Sequence, residues 1–539
     1  MQHRPDRRAF LRITGALAAA GAVTAGLGAC TGPPSTIGTW GDDEGGEGMD
    51  LTVVIGYGND QSWDPTQTAS AFAMAGIQHV YEGLLDTDPV TREPYPALAT
   101  ALPADRNATT WEFTLREGAT WHDGEPVTAD DVVFTYRRIL DPEVRPLTRS
   151  FFATWLRGAR ATGDRSVALD FHFPFPEAAA RLGIAKILPR HVFSREGAWE
   201  QASGGLAVGS GPYRLASHQP KSNSTFEAYD AYNGPRPPAF RTMNWLTIVD
   251  AAPRLAMVSG DSADAQIAEN IPYAGAERLR DDGLEVRGGA GMNHAFVMFN
   301  TGNPPFDDVR VRQALLYAID TDQLIEVGLR GFGRAPTSFL DEGNPAHAPA
   351  ATVYTYDPER ARALLDAAGV SDLSVTLMSV NASWLMDCLP TIKESWDAVG
   401  VSTTLEPQET SALFSKMDQN QGYQAVVAVS NPNQFGLDAD LIMRYNYTAD
   451  GLWMRYARWH ESEEAAGLFA LMDRATRESD PDRKLELTHQ YLDIIAEQAV
   501  LYPVVHNELL TAWNPDRVTG VRALAYPGVN VLQARAAAS

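Results

Sequence analysis

The residues able to do covalent chemistry are few and wrongly spaced for it. Eleven His and two Cys could ligate metal or act as nucleophile and base if they clustered. His460-Glu461 is followed by Ser-Glu-Glu, so the second His of a zinc-protease HExxH helix is missing, and no Cys cluster replaces it. Gly209-Ser210-Gly211 is not the Gly-x-Ser-x-Gly turn that presents a nucleophilic serine. Gly328, Gly331 and Gly333 read Gly-x-x-Gly-x-Gly, which matches neither a phosphate loop nor a dinucleotide fingerprint. Acidic residues are plentiful, so a glycosidase-like carboxylate pair stays open on sequence grounds alone. No catalytic residue, metal or cofactor is expected.

The chemistry that the residues do suit is recognition. Three polar loops follow strand-like runs. The first carries Tyr57, Asn59, Gln61 and Trp63 after the run 51–55, and the second carries Asn381 and Trp384 after 373–380. The third carries Ser430, Asn431, Asn433, Gln434 and Phe435 after 423–429. In open α/β sheets ligands bind beyond the carboxyl ends of strands. Flat rings there offer contact area, and amides offer adaptable hydrogen bonds, which suits an oligomeric polar ligand. Tyr57, Asn59, Trp63, Asn381, Trp384, Asn431, Asn433, Gln434 and Phe435 are the expected ligand contacts. Ordinary polar turns rich in Asn would look the same.

The elements that must position these loops alternate strand and helix. Residues 166–173 alternate, with Val167, Leu169, Phe171 and Phe173 on one face, as a half-buried strand does. Thr128 followed by Asp131 is a capping-box variant, and Val132, Val133, Tyr136, Ile139 and Leu140 then recur at helical spacing. Asp357-Pro358 and Asp480-Pro481 each place Pro at a first helical position. Residues 373–380, 383–399 and 401–405 form a strand–helix–strand unit, which builds a parallel sheet covered on both faces.

The N-terminus fixes the compartment. Arg4, Arg7, Arg8 and Arg12 precede an Ala-, Gly-, Leu- and Val-rich stretch over 13–29, too weakly apolar for a membrane span and suited to a secretory signal. Arg7-Arg8 within 6–12 resembles a twin-arginine export motif. Leu27-Gly28-Ala29-Cys30 resembles a lipobox, whose Cys30 would take the lipid. Residues 31–50 are rich in Gly, Pro and acid and have no apolar period, so they read as a tether of roughly 25 Å reach. Cys388 is then left without a disulfide partner. The chain carries a formal charge of −24; residues 1–29 hold four Arg and one Asp, so the remainder carries −27. Such a body repels nucleic acid and anionic lipid.

Several stretches carry a resemblance. They are Tyr81-Glu82-Gly83-Leu84-Leu85, Tyr95-Pro96-Ala97-Leu98-Ala99, Trp111-Glu112-Phe113-Thr114-Leu115-Arg116-Glu117-Gly118, and Trp121-His122-Asp123-Gly124 with the run to Phe134. Downstream come Gly209-Ser210-Gly211-Pro212-Tyr213, Phe299-Asn300-Thr301, the run from Pro305 to Leu315 and Ala318-Ile319-Asp320. In this order, along nearly the whole chain beyond the tether, they resemble the bacterial extracellular solute-binding protein family 5, the peptide- and nickel-binding proteins of ABC importers. The motifs are mostly scaffold, and His122 reads as a hydrogen-bonded turn residue.

The resemblance implies an α/β, two-lobed periplasmic-binding-protein-like fold (type II, of the large cluster with an extra domain), with the ligand cleft between the lobes. It divides the chain into a signal peptide (1–29), a lipidated Cys and tether (30–50), a lobe I core (51–83, 209–290 and 500–539), an extra domain of lobe I (84–208) and lobe II (291–499). It implies a monomeric, lipid-anchored subunit on the outer face of the cytoplasmic membrane. That subunit would hand a peptide or similar small solute to an ABC permease and bind no nucleic acid. A non-peptide solute (an oligosaccharide, nickel or a metal chelate) and a solute-sensing lipoprotein remain alternatives. One departure bears on the choice. Peptide-specific members often carry an Asp in the third loop for the peptide's α-ammonium, and here Asn433 stands at or near that position, with Asp438 and Asp440 further on. An Asn accepts a hydrogen bond but supplies no charge.

Overall fold

The computed structural model describes residues 49–539 apart from 57–61, 69–70, 90, 145, 147, 196–206, 261–262, 290–292, 421, 431–435, 450 and 538–539. Cys30 and the stretch read as signal and tether lie outside the described residues.

The chain builds two large sheets. The first runs, edge to edge, Glu285–Gly289, Leu509–Trp513, Ile267–Glu269, Asp50–Ile55, Thr242–Thr247, Asn223–Ala228 and Tyr213–Gln219. Asp50–Ile55 pairs in parallel with both neighbours. Its Leu51, Val53, Val54 and Ile55 are wholly buried, as a strand covered on both faces requires. Each such side chain stabilises the fold by about 1.5–3 kcal/mol.

The second sheet runs Gly333–Arg334, Leu501–Asn507, His294–Phe299, Ala425–Ser430, Ser374–Val380 and Ser402–Gln408. The expected strand–helix–strand unit is present: Ser374–Val380 and Ser402–Gln408 pair in parallel, with helix Ser383–Ala398 between them in sequence. A third, three-stranded antiparallel sheet (Thr110–Thr114, Ser166–Phe171, Leu156–Gly163) lies between the chain's early segments and its return to the first sheet. Helix Ala129–Leu140 contacts this small sheet, and its Val132, Tyr136 and Ile139 are buried in the same core as Val167 and Leu169. Thr128 and Asp131 form the capping box, the Thr128 N–H donating to Asp131 Oδ2 at 2.8 Å.

Two features stand out. Strand 501–507 pairs in the second sheet, so the chain returns to the first sheet only after it, with the strand that begins at Leu509. The reason is continuity: Leu501 to Asn507 is an unbroken buried run that extends the ladder of His294–Phe299. The two crossings are tied together at this point. Asn293 Nδ2 donates to Asn507 Oδ1 (2.7 Å), Asn507 Nδ2 to the Tyr273 hydroxyl (2.9 Å), and that hydroxyl to the Glu508 carbonyl (2.7 Å). Secondly, Arg312, within the motif run from Pro305 to Leu315, is 2 % exposed and donates to the Phe306, Asp307 and Gln498 carbonyls. Burial without a carboxylate partner pushes its guanidinium down to about 10.

The recurring motifs are internal fasteners. Glu82 accepts both terminal nitrogens of Arg116 (2.8 and 2.7 Å) and the Ser210 hydroxyl (3.0 Å), so three motifs distant in sequence meet at one carboxylate. His122 is the turn residue expected: Nε2–H donates to the Gly211 carbonyl (3.0 Å) and Nδ1 accepts the Gly209 N–H (3.2 Å). A Cβ on Gly209 would stand 1.8 Å from the Val80 carbonyl oxygen, which explains a glycine there.

Candidate functional site

A cavity of about 840 Å³ is walled by both lobes. Its first wall comes from helix Ala71–Val80 (Met74, Ile77, Gln78), hairpin Leu85–Thr87 and Pro94–Pro96 (Asp86, Tyr95), Pro142, Pro146 and residues 148–151, and the C-terminal stretch holding Tyr526 and Asn530. Its second wall comes from helices Ala439–Asn446 and Leu452–Tyr456 of the second lobe, through Arg444, Tyr445, Leu452, Trp453 and Arg455. Aromatic rings and amides mix here as an oligomeric polar ligand needs. Leu452 is 39 % exposed, an apolar side chain left uncovered where the wall is concave.

The lobes also meet beside the cavity. Arg181, 1 % exposed, donates to Asp438 (2.5 Å) and Asp440 (2.6 Å), both at the start of helix Ala439–Asn446. Arg444 closes on Asp440 (2.9 Å) and Asp473 (2.8 Å). Burial alone would raise the Asp440 carboxyl, but Arg444 and Arg181 outweigh it and hold it below the usual carboxylate range. Leu441 inserts into the core of the small-sheet domain, and Lys484 pairs with Glu177 at 2.5 Å.

Among the described residues six cationic side chains line the cavity (Arg92, Arg149, Lys186, Arg236, Arg444, Arg455) against one lining carboxylate, Asp86, which pairs with Lys186. Arg236 pairs with Asp88 at 2.7 Å and lies over the Tyr95 ring. Arg92 lies over the Tyr526 ring.

The structure places the sequence-derived contacts as follows. Tyr57, Asn59, Gln61, Asn431, Asn433, Gln434 and Phe435 lie outside the described residues. Trp63 is corrected to a core residue: it is wholly buried against Phe72, His218 and Phe226 and does not line the cavity. Gly76 makes the room, since a Cβ there would lie 2.6 Å from the indole. Asn381 is exposed and donates to Glu409 at 2.7 Å, away from the cavity lining. Trp384 is buried in the second lobe's core and is likewise absent from the lining. Residues that strand-end reasoning missed include Arg149, Tyr445, Trp453, Arg455 and Tyr526, because they sit on short helices and an inserted segment. The one sequence signal was the run Leu452-Trp453-Met454-Arg455-Tyr456, apolar at both buried and exposed positions.

Among the described residues no group of three or more His, Cys, Asp or Glu could hold a metal ion, and no helix is long and apolar enough to cross a membrane.

Comparison with known proteins agrees with this architecture. The dipeptide-binding protein of Escherichia coli (strain K12) is 24% identical over 499 residues, spanning 86% of this chain and 90% of that protein. The crystal structure of a dipeptide-binding protein from Pseudoalteromonas sp. SM9913 in complex with Met-Leu superposes with a TM-score of 0.79 at 20% identity, covering 90% of this chain and all of that one. The binding protein MoaA of A. tumefacien R10 in complex with mannopinic acid gives 0.78 at 20% identity, covering 91% and 100%. These structures share the two-lobed fold. The model of "bacterial extracellular solute-binding proteins, family 5 Middle" matches residues 93–451, and the chain, a solute-binding protein and not an enzyme, belongs to that family.

Proposed function

We propose that this chain is the extracytoplasmic binding subunit of an ABC importer and captures peptides or peptide-like oligomers in the cavity between its lobes. The observation that carries this is the cavity of about 840 Å³ walled from both lobes. Its size falls in the range of about 300–1,000 Å³ usual for small-molecule sites. Its rings (Tyr95, Tyr445, Trp453, Tyr526) and amides (Gln78, Asn530) suit repeating polar units. Relatives bind dipeptides, as the Escherichia coli protein's name states. Cys30 carries the lipid, export follows the twin-arginine route, and the protein works as a monomer held on the outer face of the cytoplasmic membrane.

A second reading, a non-peptide solute, draws on one observation. Asp438 and Asp440, the carboxylates nearest the expected ammonium site in sequence, are taken up by Arg181 and Arg444. The MoaA neighbour holds mannopinic acid. Native mass spectrometry of residues 31–539, gently purified and then denatured to release ligand, separates the two. A co-purifying peptide ladder supports the first reading and a single non-peptide mass the second. An empty protein that no peptide, oligosaccharide or chelate stabilises against heat would sink both.

A further inference from the structure

We propose that the solute taken into this cavity is anionic, and that its carboxylate is gripped from both lobes by Arg149, Thr148 and Arg455. The assignment rests on the cavity being the solute site, and it names the charge class that site accepts.

Four of the six lining cations have other engagements. Lys186, Arg236 and Arg444 each hold a carboxylate, and Arg92 lies over Tyr526. Arg149 and Arg455 hold none. Arg149 gives only its Nε–H to the Leu140 carbonyl, at 3.3 Å, which leaves both terminal nitrogens without a partner among the described residues. The Arg455 guanidinium donates to nothing among them and is exposed on the cavity wall. Beside Arg149 the Thr148 hydroxyl also lines the cavity, is buried within a residue only 7 % exposed, and has no hydrogen-bond partner among the described residues. A buried hydroxyl with no partner is destabilising, so a ligand acceptor is its complement.

The chain has 68 acidic and 44 basic residues, so arginines left without acids inside a concave site run against its composition. No lining carboxylate among the described residues is open to receive an ammonium, because Asp86 is held by Lys186. Guanidinium and carboxylate match in planar, charge-assisted geometry, roughly twice as strong as a neutral pair. The arrangement also couples charge to closure. Arg149 lines the cavity from the first lobe and Arg455 from the second. An anion held by both favours the closed form, by as much as its differential affinity for the two forms allows.

The test is calorimetric titration of residues 31–539 with four probes: tetra-alanine as free acid, tetra-alanine amide, Ala-Glu-Ala-Glu as free acid, and citrate. The free acid should bind at least about tenfold tighter than the amide, the Glu-containing peptide tighter still, and both preferences should shrink with salt. Arg455→Gln and Arg149→Gln should each bring the acid-to-amide ratio near unity, while Arg310→Gln, outside the cavity, leaves it unchanged. Thermal melting checks that the variants fold. Acid and amide binding equally, or a preference that survives both cavity variants, overturns the anion assignment and leaves the peptide reading standing. Citrate binding that Arg455→Gln removes, with no peptide bound, supports the assignment and defeats the peptide reading. Binding of none of the four at about 1 mM overturns it.

Discussion

Arg181 is the side chain through which the small-sheet domain holds the second lobe, and replacing it should open the molecule. Its Nε and Nη2 donate to Asp438 at 2.8 and 2.5 Å, and Nη2 also reaches Asp440 at 2.6 Å. In Arg181→Met the apolar stem still packs near the Phe175 ring, over which the guanidinium now lies. Asp440 keeps Arg444 and the Thr476 hydroxyl, so its loss is partial. Asp438 loses its only cation among the described residues while 15 % exposed, and keeps the Asp440 N–H it accepts as helix cap. Orphaning one member of a buried pair costs about 3–5 kcal/mol, and the helix N-terminus offsets part of this, so about 3 kcal/mol is expected. If the contact exists only when the lobes are together, that energy falls on the open–closed equilibrium. Solute affinity then drops by about a hundredfold, because each 1.4 kcal/mol is a factor of ten. Small-angle scattering of the solute-loaded protein should report a larger radius for the variant. Adding Asp438→Asn should recover most of the affinity and closure, because the cost placed on closure is that of the orphaned charge. Unchanged affinity and an unchanged scattering curve would refute the argument and confine Arg181 to a local structural role.

Stability should fall with acid through three buried histidines. His79 donates Nδ1–H to Ala75 and accepts the Val531 N–H at Nε2, and His122 is satisfied with the opposite tautomer. Burial pushes both, and His506 with them, down to about 4 from 6.5, so the neutral forms stabilise the fold fully above pH 6.5 and that stability is lost as pH falls toward 4. At pH 5 the loss is about 2 kcal/mol per histidine, which urea unfolding at pH 7 and pH 5 will measure, and His122→Asn should remove about a third of the histidine contribution. Gly209→Ala should destabilise by more than about 2 kcal/mol, because its Cβ would overlap the Val80 carbonyl, which is backbone and cannot swing aside as a side chain can; an unchanged melting temperature would show that the segment shifts freely.

What could be read in the sequence was what local rules govern. The Thr128–Asp131 cap, the Pro-led helices Pro358–Ala367 and Pro481–Gln498, and the parallel pair around helix Ser383–Ala398 all follow from spacing and caps, and each formed. The point where the chain returns to the first sheet was not legible, because nothing local distinguishes 501–507 from 509–513; both are buried apolar strands, and only the partner ladders separate them. Trp63 was misread for a similar reason. An indole in a polar loop signals a contact surface, but its burial depended on Gly76, in a helix more than ten residues on. The cavity wall was illegible because it is assembled from segments far apart in the chain, with Arg149 and Arg455 brought to one space by the fold alone.

The acidic pair at 438 and 440 shows how such placement changes chemistry. Near the loop where a carboxylate could meet an ammonium, two Asp residues suggest a cationic ligand group. Their geometry assigns them to Arg181 and Arg444 instead, at the start of helix Ala439–Asn446. The end of that helix supplies Arg444 and Tyr445 to the cavity, and Arg455 follows on the next helix. One short element therefore carries both the interlobe ion pairs and a ligand wall, about 12 Å long at 1.5 Å per residue. A solute that pulls on Tyr445 bears on the same helix whose first residues are anchored to the opposite lobe. Ligand contact and lobe contact are thus mechanically linked, and substitutions at the two ends of the helix should be non-additive, since neighbours sharing one element couple. A double-mutant cycle of Arg181→Met, which frees the start of the helix, with Tyr445→Ala at its end measures it: a coupling of about 0.5 kcal/mol or more in solute affinity is expected, and strict additivity would show that the two ends act independently.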